Sequence, residues 1–391
     1  MKYNVCVVTG TRAEYGLLRP VLNKLSCNEK INLNLVVTGT HLSSAFGNTQ
    51  DEIKNDGFNN FVSISIPTED DSKEGMAFAT GEAVKKFSAY FAKNNIDLLL
   101  VLGDRFEIFA ASIAAHLMNI PIAHISGGDV TEGAVDDAIR HCITKMSTLH
   151  FPGCEQSRLR IIQMGESPDR VYNVGDVGVE NCLRVEKLSR EELAEQLNFD
   201  GILGDYAVVT FHPVTKENDT AITQVRELIS AMDEFPDMAF IVTMANADAG
   251  GRAINEEWAK ACKSRKNWLL VSSLGVKKYL SAVKYCRVVI GNSSSGVIEA
   301  PALKVPTINI GDRQKGRMMA KSVICCQPTK NEMVSAVRSA IQPDFYNDFK
   351  NFELPFGNGT ASQNIIKIII DYLEKGKLKT QKKFFDINFN L

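Results

Sequence analysis

Several features that would point to particular classes of protein are missing from this sequence. No apolar run approaches the roughly 20 residues that a membrane-spanning helix needs, and the N-terminal stretch "MKYNVCVVTG" lacks the apolar core of a signal peptide. The formal net charge is only -2, so no strong basic field points to nucleic acid. We therefore expect a cytoplasmic protein that binds neither membranes nor nucleic acids.

Paired cysteine motifs are also missing. The nine cysteines include no C-x-x-C spacing, and the one adjacent pair, Cys325 and Cys326, lies in a strand-like run. Most of the others, such as Cys6, Cys142 and Cys286, lie in apolar stretches. Buried thiols in a reducing compartment account for this usage better than disulfides or a metal site do.

The chain does contain a regular alternation of short apolar runs and amphipathic segments. The runs of the first half are "VCVVTG", "LNLVVTG", "LLLVLGD", "IPIAHISGG" and "VYNVG", and those of the second half are "YAVVTFH", "AFIVTM", "WLLVSS", "RVVIGN" and "PTINIG". Such runs are typical of parallel strands buried on both faces, with helices between them. The pattern predicts an α/β protein with two Rossmann-like, doubly wound domains.

The polar span around Ser189 and Glu192, which form a helix-start signal, separates the two series. We predict an N-terminal Rossmann-like domain over residues 1–180 and a nucleotide-binding one over residues 181–365. Residues 366–391 read as a C-terminal helix and tail, expected to pack back toward the first domain. Ligands of such sheets bind at the carboxyl ends of strands, so two facing domains would enclose the ligand in a cleft.

Charged residues follow two of the predicted strands in the first half. In "GTRAEYG", Gly10 permits a tight turn and Arg12 offers a forked cation that suits phosphate, although a solvated loop would also account for the stretch. In "GDRFE", Asp104 ends an apolar strand. Partial desolvation there tends to raise a carboxyl pKa and suits acid–base chemistry, unless Asp104 merely caps the next helix.

An acidic loop and turn follow the fourth predicted strand, in "HISGGDVTEGAVDDAIRH". Carboxylates, a cation and histidines cluster there, at His124, Asp129, Glu132, Asp136, Asp137, Arg140 and His141. The group suits acid–base catalysis, while the alternative is that acids at a helix start complement the helix dipole. A metal site is possible there, but no H-x-x-x-H or cysteine–histidine spacing supports one.

Polar residues end the strands of the second half as well. His212 can meet a phosphate or shuttle a proton there, or be a satisfied structural histidine. In "GNSSSGVIEAP", the serine turn consists of Ser293, Ser294, Ser295 and Gly296. Its hydroxyls and the first N–H groups of the next helix form a cradle for a diphosphate, and Glu299 can reach a ribose diol. A serine N-cap with a surface glutamate is the alternative.

Taken in order, the motifs resemble those of one family. "GTRAEYG", "GDRFE", "HISGGDVTEGAVDDAIRH", "FHPVT" and "GNSSSGVIEAP", followed by "GDRQKGR", are similar to those of the hydrolysing UDP-N-acetylglucosamine 2-epimerases of sialic- and legionaminic-acid biosynthesis. The resemblance covers nearly the whole chain. It implies a GT-B-like two-domain fold, no metal or redox cofactor, and a homodimer or homotetramer.

The resemblance also implies a reaction. UDP is eliminated from the UDP-sugar with loss of the C2 proton, which gives a glycal. Water then adds at C1 while C2 is reprotonated from the opposite face, so that the products are a free ManNAc-type sugar and UDP. Such chemistry needs an acid and a base on opposite sides of the ring, and cations for the departing diphosphate.

The matching motifs also imply roles for individual residues. Asp104 and Asp137 would be the carboxylates that act on C2 and on the leaving oxygen. The residues implied to contact the phosphates, the ribose or other parts of the substrate are Arg12, Arg105, His212, Asn246, Ser293, Ser294, Glu299 and Arg313.

One position departs from the family pattern. Many members carry a glutamate in H-[IV]-E-G-G, where this chain has Ser126, and serine cannot act as a base at neutral pH. Either Asp129 or Glu132 substitutes, or the sugar differs: "HISGG" followed by "TEGA" resembles the branch that acts on UDP-2,4-diacetamido-2,4,6-trideoxyglucose. Leu17 stands where non-hydrolysing epimerases usually carry lysine, which favours the hydrolysing type.

Two other functions stay open from the sequence. A GT-B glycosyltransferase would bind the same UDP-sugar donor but needs an acceptor, and the acidic loop counts against it. A regulatory protein that binds UDP and has lost catalysis is supported only by Ser126.

Overall fold

We describe the chain from a computed structural model. The residues that it describes are 2–43, 49–67, 70, 72–131, 135–213, 221–245, 251–349 and 354–388. The chain divides into two compact units. The first unit comprises Met1–Asp129, Val135–Glu180 and Gly357–Leu391, and the second comprises Val130–Ala134 and Asn181–Phe356.

Each unit is built on a six-stranded parallel sheet. The strands of the first sheet are β1 (Tyr3–Thr9), β2 (Ile31–Thr38), β3 (Phe61–Ile64), β4 (Leu98–Leu102), β5 (Ile122–Ile125) and β6 (Leu149–Phe151). Those of the second sheet are β7 (Tyr206–Thr210), β8 (Ala239–Thr243), β9 (Trp268–Val271), β10 (Val288–Gly291), β11 (Thr307–Ile310) and β12 (Val323–Cys326).

Helices connect the strands and cover the sheets. Those before residue 190 are α1 (Arg12–Ser26), α2 (Gln50–Asn55), α3 (Lys73–Phe91), α4 (Phe106–Leu117), α5 (Val135–Met146), α6 (Glu155–Gln163) and α7 (Val177–Arg184). The later helices are α8 (Arg190–Leu197), α9 (Ala221–Met232), α10 (Gly251–Lys263), α11 (Gly275–Tyr285), α12 (Ser294–Ala302), α13 (Lys330–Ala340), α14 (Pro343–Phe349) and α15 (Ala361–Glu374).

Both sheets have the same strand order. It is β3-β2-β1-β4-β5-β6 in the first and β12-β11-β10-β7-β8-β9 in the second. This is the doubly wound order, and the prediction of two such folds is confirmed. The order reverses between β1 and β4 and again between β7 and β10, and ligands of open α/β sheets bind beside the strand ends at these switch points.

Local sequence signals account for much of this regularity. The central strands β4 and β7 are buried at every position, as their continuous apolar runs predict. The predicted capping box of α8 is present: the Ser189 hydroxyl accepts a hydrogen bond from the Glu192 N–H at 3.1 Å, and the Glu192 carboxylate accepts one from the Ser189 N–H at 2.8 Å.

The prediction of a strand at "VYNVG" is wrong. Val171 makes a single bridge to His150 after the short 3-10 helix Pro168–Arg170. The neighbouring edge strand β6 is only three residues long, so it offers few backbone groups with which a further strand could pair. Strand β3, at the other edge of this sheet, was not predicted: it has only four residues, Ser63 interrupts its apolar run, and its middle positions Val62 and Ser63 are exposed.

Helix α15 belongs to the first unit. Its residues Ile365, Ile369 and Leu373 share a core with Leu18 and Leu22 of α1. The apolar face of α15 is buried from its first turn. The chain therefore returns to the first unit before residue 366, the position at which we predicted that the C-terminal segment starts.

Two features bear on the exclusions made from the sequence. Among the helices of the described ranges, none is both long and apolar enough to cross a membrane. The nine cysteines, all of them in described parts of the chain, are free thiols. Cys6 and Cys286 are buried, whereas Cys142 is exposed on α5.

Candidate functional site

The turn from β1 into α1 is built by a reciprocal cap. The Thr11 hydroxyl accepts a hydrogen bond from the Glu14 N–H at 3.3 Å, and the Glu14 carboxylate accepts one from the Gly10 N–H at 2.8 Å. Arg12 begins the helix and points outward, where its Nε lies 2.8 Å from Glu52 Oε2. Because both side chains of this ion pair are well exposed, it holds the Arg12 cation only weakly in place.

Two buried glutamates lie beneath this turn, and the sequence analysis assigned a role to neither. Glu107 is fully buried and accepts hydrogen bonds from Arg105 Nε at 3.1 Å and Nη2 at 2.9 Å. A Cβ at Gly39, where φ is +58°, would approach Glu107 Oε1 to 2.8 Å, so glycine leaves room for the carboxylate. This pairing fixes the orientation of the Arg105 guanidinium.

Glu14 is the second buried glutamate. Its Oε1 is buried without a hydrogen-bond partner. Burial raises the pKa of Glu14 to about 8, and the charge of Glu107 adds to the effect, whereas the hydrogen bond from Gly10 and the charge of Arg105 oppose it. Glu14 is therefore mostly protonated at neutral pH. The sequence does contain a signal for the two glutamates. Each is an acidic residue in the first turn of a helix that follows a buried strand, Glu14 in "GTRAE" and Glu107 in "GDRFE".

Asp104 follows β4 and forms an ion pair with Arg140 of α5. The N-cap of α4 is Arg105, so the alternative that Asp104 caps this helix does not hold. Arg140 is nearly fully buried. Its Nη1 donates to the carbonyl oxygen of Asp129 at 3.0 Å and lies 3.7 Å from Asp137 Oδ1. One cation thus joins Asp104, the acidic loop and the first turns of α5.

The two adjacent acids of α5 have different surroundings. Asp137 Oδ2 lies 3.7 Å from His141 Nε2, one turn further along the helix. Asp136 instead interacts with the neighbouring end of β4. Loss of solvent and the charge of Asp104 raise the pKa of Asp136, while Arg105 and Arg140 oppose this rise. The structure therefore brings together Asp104, Asp136 and Asp137; the family resemblance implies a catalytic role for Asp104 and Asp137 but not for Asp136.

His124 has a structural position beside this cluster. It is fully buried, with Nε2 2.8 Å from the Gly103 carbonyl oxygen and Nδ1 3.1 Å from Thr144 Oγ1. Burial lowers the pKa of His124 to about 3, so the ring is neutral and ties β5 to the end of β4 and to α5. Ser126, at the position of the family glutamate, has a φ of +61°, a conformation that is uncommon for residues other than glycine.

The two proposed substitutes for that glutamate can be placed only in part. Asp129 Oδ1 accepts a hydrogen bond of 2.5 Å from the Ser157 hydroxyl, and Ser157 Oγ lies 3.2 Å from Cys154 Sγ. The Asp129 carboxylate is thus held against α6. Glu132 lies outside the described residues.

At the second switch point, Asn292 joins the ends of β7 and β10. Its Oδ1 accepts from the His212 N–H at 2.7 Å, and its Nδ2 donates to the His212 carbonyl at 2.8 Å. Gly291 precedes it with a φ of +139°, and a Cβ there would lie 1.8 Å from the Thr210 oxygen. No role was predicted for Asn292, although this residue directly follows β10.

His212 and Arg313 are brought together beside Asn292. Arg313 Nη1 and Gln314 Nε2 both donate to the Asn292 carbonyl, at 3.0 and 2.8 Å. Burial and the charge of Arg313 lower the pKa of His212 to about 4. At neutral pH the His212 ring is therefore uncharged, and it can offer hydrogen bonds but little positive charge.

The serine turn begins α12. Ser293 is the N-cap, and its Oγ accepts from the Ser295 N–H at 3.4 Å; Ser294 is the first helical residue. Gly296 is buried, and a Cβ on it would lie 2.9 Å from Thr307 Cγ2, so glycine allows α12 to pack closely on β11. The first turn of this helix therefore directly follows β10, with its leading N–H groups at the carboxyl end of that strand.

Ser295 and Glu299 form a short relay with Tyr279 of α11, which the sequence analysis missed. The Tyr279 hydroxyl donates to Ser295 Oγ at 2.7 Å, and the Ser295 side chain hydrogen-bonds the Glu299 carboxylate. Burial raises the pKa of Glu299, and the bond from Ser295 opposes that rise. Ser295 thus orients Glu299. Asn246, also predicted to contact the substrate, lies outside the described residues.

The two switch points suit different chemistry. The first offers several carboxylates beside the buried cation of Arg140 and the partly exposed one of Arg105, and it can move protons. The second offers hydroxyls, amide groups and a helix N-terminus, which suit phosphate and ribose oxygens. Within the described ranges, no group of three or more His, Cys, Asp or Glu side chains could hold a metal ion.

Comparisons with known proteins find one family model and several relatives that match most of this chain. The model of the UDP-N-acetylglucosamine 2-epimerase family matches residues 23–370. The polysialic acid biosynthesis protein P7 of Escherichia coli is 40% identical over 98% of this chain and 97% of its own. The GDP/UDP-N,N'-diacetylbacillosamine 2-epimerase (hydrolyzing) of Campylobacter jejuni is 36% identical over 83% of this chain and 84% of its own.

A solved structure supports the fold. The UDP-GlcNAc 2-epimerase of Neisseria meningitidis, bound to UDP-GlcNAc, aligns with a TM-score of 0.82 at 19% identity, covering 94% of this chain and all of the other. The predicted GT-B-like fold class and the family resemblance are confirmed. On its sequence and its fold, the chain belongs to the UDP-N-acetylglucosamine 2-epimerase family.

Proposed function

We propose that this protein is a hydrolysing UDP-N-acetylhexosamine 2-epimerase, which converts a UDP-2-acetamido sugar and water into a free ManNAc-type sugar and UDP. The observation that carries the proposal is the position of Asp104. It lies at the first switch point and is tied through Arg140 to the acids of α5. A site that removes one proton and supplies another needs several carboxylates held in fixed positions.

The proposed chemistry assigns proton transfer to the first unit. A carboxylate takes the C2 proton, the C1–O bond breaks, and its electron pair leaves with UDP, giving the glycal. A protonated carboxyl group then delivers its proton to C2 from the opposite face while water adds at C1, and the proton that this water gives up restores the carboxyl group. Asp104 and Asp137 are the carboxylates that we assign to C2 and to the leaving oxygen.

The second unit is assigned the UDP group. The first N–H groups of α12 and the hydroxyls of Ser293 and Ser294 would bind the diphosphate, with Arg313 as a nearby cation. Glu299, oriented by Ser295, would accept hydrogen bonds from the ribose diol. Arg12, Arg105, His212 and Asn246 would complete the contacts with the substrate.

Two sugars fit the proposal, UDP-GlcNAc and UDP-2,4-diacetamido-2,4,6-trideoxyglucose. Both carry the C1 diphosphate and the C2 acetamido group on which the reaction depends. Support comes from both kinds of relative, one named for polysialic acid biosynthesis and one for hydrolysis of a diacetylbacillosamine nucleotide. The free product would in either case supply a pathway to a nonulosonic acid.

The proposal can be tested by incubating the full chain with each UDP-sugar in deuterated water and following the products by NMR. We expect stoichiometric UDP and a free sugar of manno configuration that carries deuterium at C2. The sugar that is turned over faster identifies the substrate. Release of an epimerised UDP-sugar in place of a free sugar would contradict the hydrolysing reaction.

The same experiment tests the alternatives. Sugar transfer that occurs only when an acceptor is added would indicate a glycosyltransferase, and tight UDP binding without turnover of either sugar would indicate a regulatory protein. We favour the epimerase because the first switch point carries more fixed carboxylates than transfer to an acceptor requires. A homodimer or homotetramer stays a prediction from the family.

A further inference from the structure

The extended tail that follows α15 is held against the first unit by a nearly buried lysine. The Lys382 side chain is only 18% exposed, and its ammonium group donates to the carbonyl oxygens of Lys145 and Ser147, at 2.7 and 2.6 Å. These carbonyls lie at the C-terminal end of α5, where the last turn of a helix leaves its oxygens without partners inside the helix. A cation there is also favourable for the helix dipole. Lys382 therefore caps α5.

A buried carboxylate compensates the charge of this lysine. Glu166 is 1% exposed and accepts hydrogen bonds from Lys382 Nζ at 2.6 Å, Lys145 Nζ at 2.7 Å and His150 Nε2 at 3.2 Å. Burial tends to raise the pKa of Glu166, but the three hydrogen bonds outweigh it and lower the pKa to about 2. The carboxylate thus stays ionised at neutral pH. Removing Lys382 would take this donor from the two carbonyl oxygens and would leave buried Glu166 with one cation fewer, since Lys145 remains.

The tail has further contacts beyond Lys382. The Phe385 N–H donates to the Gly165 carbonyl at 2.9 Å, and the Phe384 ring covers Gly165 so closely that a Cβ there would lie 2.3 Å from the ring. Lys145 Nζ stands 4.7 Å from the centre of the same ring. Ile387 packs on the small core of α6 that contains Ile161 and Ile162. Residues 382–387 are therefore attached at several points, and we refer to them as the strap.

We propose that the strap positions α5 for the reaction and that Lys382 is a positioning residue. The 12 residues of α5 form a rod about 18 Å long. Asp137 lies in its first turn and Arg140 in the turn that follows, and the opposite end is the one that Lys382 caps. Since the carboxylates must meet the sugar ring in a fixed geometry, a small shift of the rod costs rate. The inference rests on the proposed function, because it assumes that α5 carries reacting groups.

The test compares Lys382→Met with Lys383→Met. Methionine keeps most of the apolar stem and removes the ammonium group, while Lys383 is an exposed neighbour that serves as the control. We expect Lys382→Met to lower kcat by about tenfold or more, with KM for the UDP-sugar and Kd for UDP within about threefold of wild type. Backbone amides near the end of α5 should exchange faster with deuterium. Lys383→Met should match wild type in all four measurements.

A second variant guards against a folding defect. A chain that ends at Gln381 should show the same loss of kcat, and a synthetic peptide of residues 382–391 added at high concentration should restore most of it. A folded Lys382→Met protein, or a truncated chain, with kcat within about twofold of wild type would overturn the proposal.

Failure of the proposed function would look different. In that case the wild-type chain would turn over neither sugar, and the strap would be judged by hydrogen exchange alone. Unchanged exchange of the α5 amides in Lys382→Met would then overturn the positioning role.

Discussion

The two switch points have the same strand order but contrasting chemistry. The first, at the ends of β1 and β4, contains Asp104 and Arg105, and two buried glutamates lie beneath the turn from β1 into α1. The second, at the ends of β7 and β10, is formed largely by the amide of Asn292, the neutral ring of His212 and a serine turn. One doubly wound scaffold therefore supports a charged site and a hydrogen-bonding site.

The contrast shows that the strand order determines where a site forms, whereas the loop residues at the strand ends determine its chemistry. At the first switch point, charged groups interact strongly because they are partly out of water, and pKa values move as a result. At the second, hydroxyl and amide groups and the neutral ring of His212 offer hydrogen bonds that suit phosphate oxygens. We infer that proton transfer and nucleotide binding are separable functions of the two units, and the following predictions test this separation.

The largest expected effect is on turnover at the first switch point. Asp104→Asn keeps the size of the side chain but removes a carboxylate that we assign to proton transfer. We expect kcat to fall by about a thousandfold, because general acid–base groups contribute roughly 10²–10⁴ in rate. The assay is UDP release under saturating substrate. Near-normal turnover would remove Asp104 from the reaction, and Asp137→Asn tests the partner group in the same way.

The second effect is on affinity at the other switch point. Ser293→Ala removes a hydroxyl that we assign to the diphosphate, and a hydrogen bond to a charged group is worth about 1.5–3 kcal/mol. We therefore expect Kd for UDP to rise by roughly ten- to a hundredfold while kcat at saturation changes little. Loss of kcat without loss of UDP affinity would break the proposed separation.

A smaller effect should appear at the ribose. Glu299→Gln removes the charge but keeps the shape of the side chain that faces the diol in our assignment. We expect this variant to bind UDP about tenfold more weakly and to distinguish poorly between UDP and 2′-deoxy-UDP. The measurement is calorimetry with both nucleotides. If the variant discriminates between them as well as wild type does, Glu299 does not contact the 2′-hydroxyl.

The last expected effect is on stability rather than on activity, and it concerns the pH dependence of the first unit. The folded-state pKa of Glu14 is raised to about 8, well above the value in an unfolded chain. Between about pH 4.3 and 8 the folded state holds a proton that the unfolded state has lost, so the unfolding free energy falls as pH rises, by at most about 1.4 kcal/mol per pH unit.

Glu14→Gln removes this proton difference while it preserves the hydrogen-bonding shape. Denaturant unfolding between pH 5 and pH 8 should therefore show a weaker decline in stability with pH for the variant than for wild type. Parallel curves for the two proteins would contradict the raised pKa. Asp51→Asn, an exposed acid on α2, is a suitable control.

The sequence was most informative where a residue type and a strand end coincide. Continuous apolar runs predicted most of the strands, and Asp104, His212 and Ser293 follow their strands as expected. The sequence could not show which partners these residues acquire across the fold. Arg140 reaches Asp104 from a different element, and only the structure places that contact.

Other features depended on long-range packing. The raised pKa of Glu14 arises from burial and from Glu107, which lies far along the chain on α4. Lys382 caps α5 from the end of the chain. The short edge strand β3 lacked a clear apolar run because Ser63 interrupts it. Local patterns contain none of this information, since each feature is set by neighbours distant in sequence.

The account rests on the claim that proton transfer and nucleotide binding are carried by different units. Calorimetric titration of the Asp104→Asn variant with UDP tests it most directly. The account predicts a Kd within about threefold of wild type in a protein whose turnover is lost. A Kd raised as strongly as that of Ser293→Ala would contradict it.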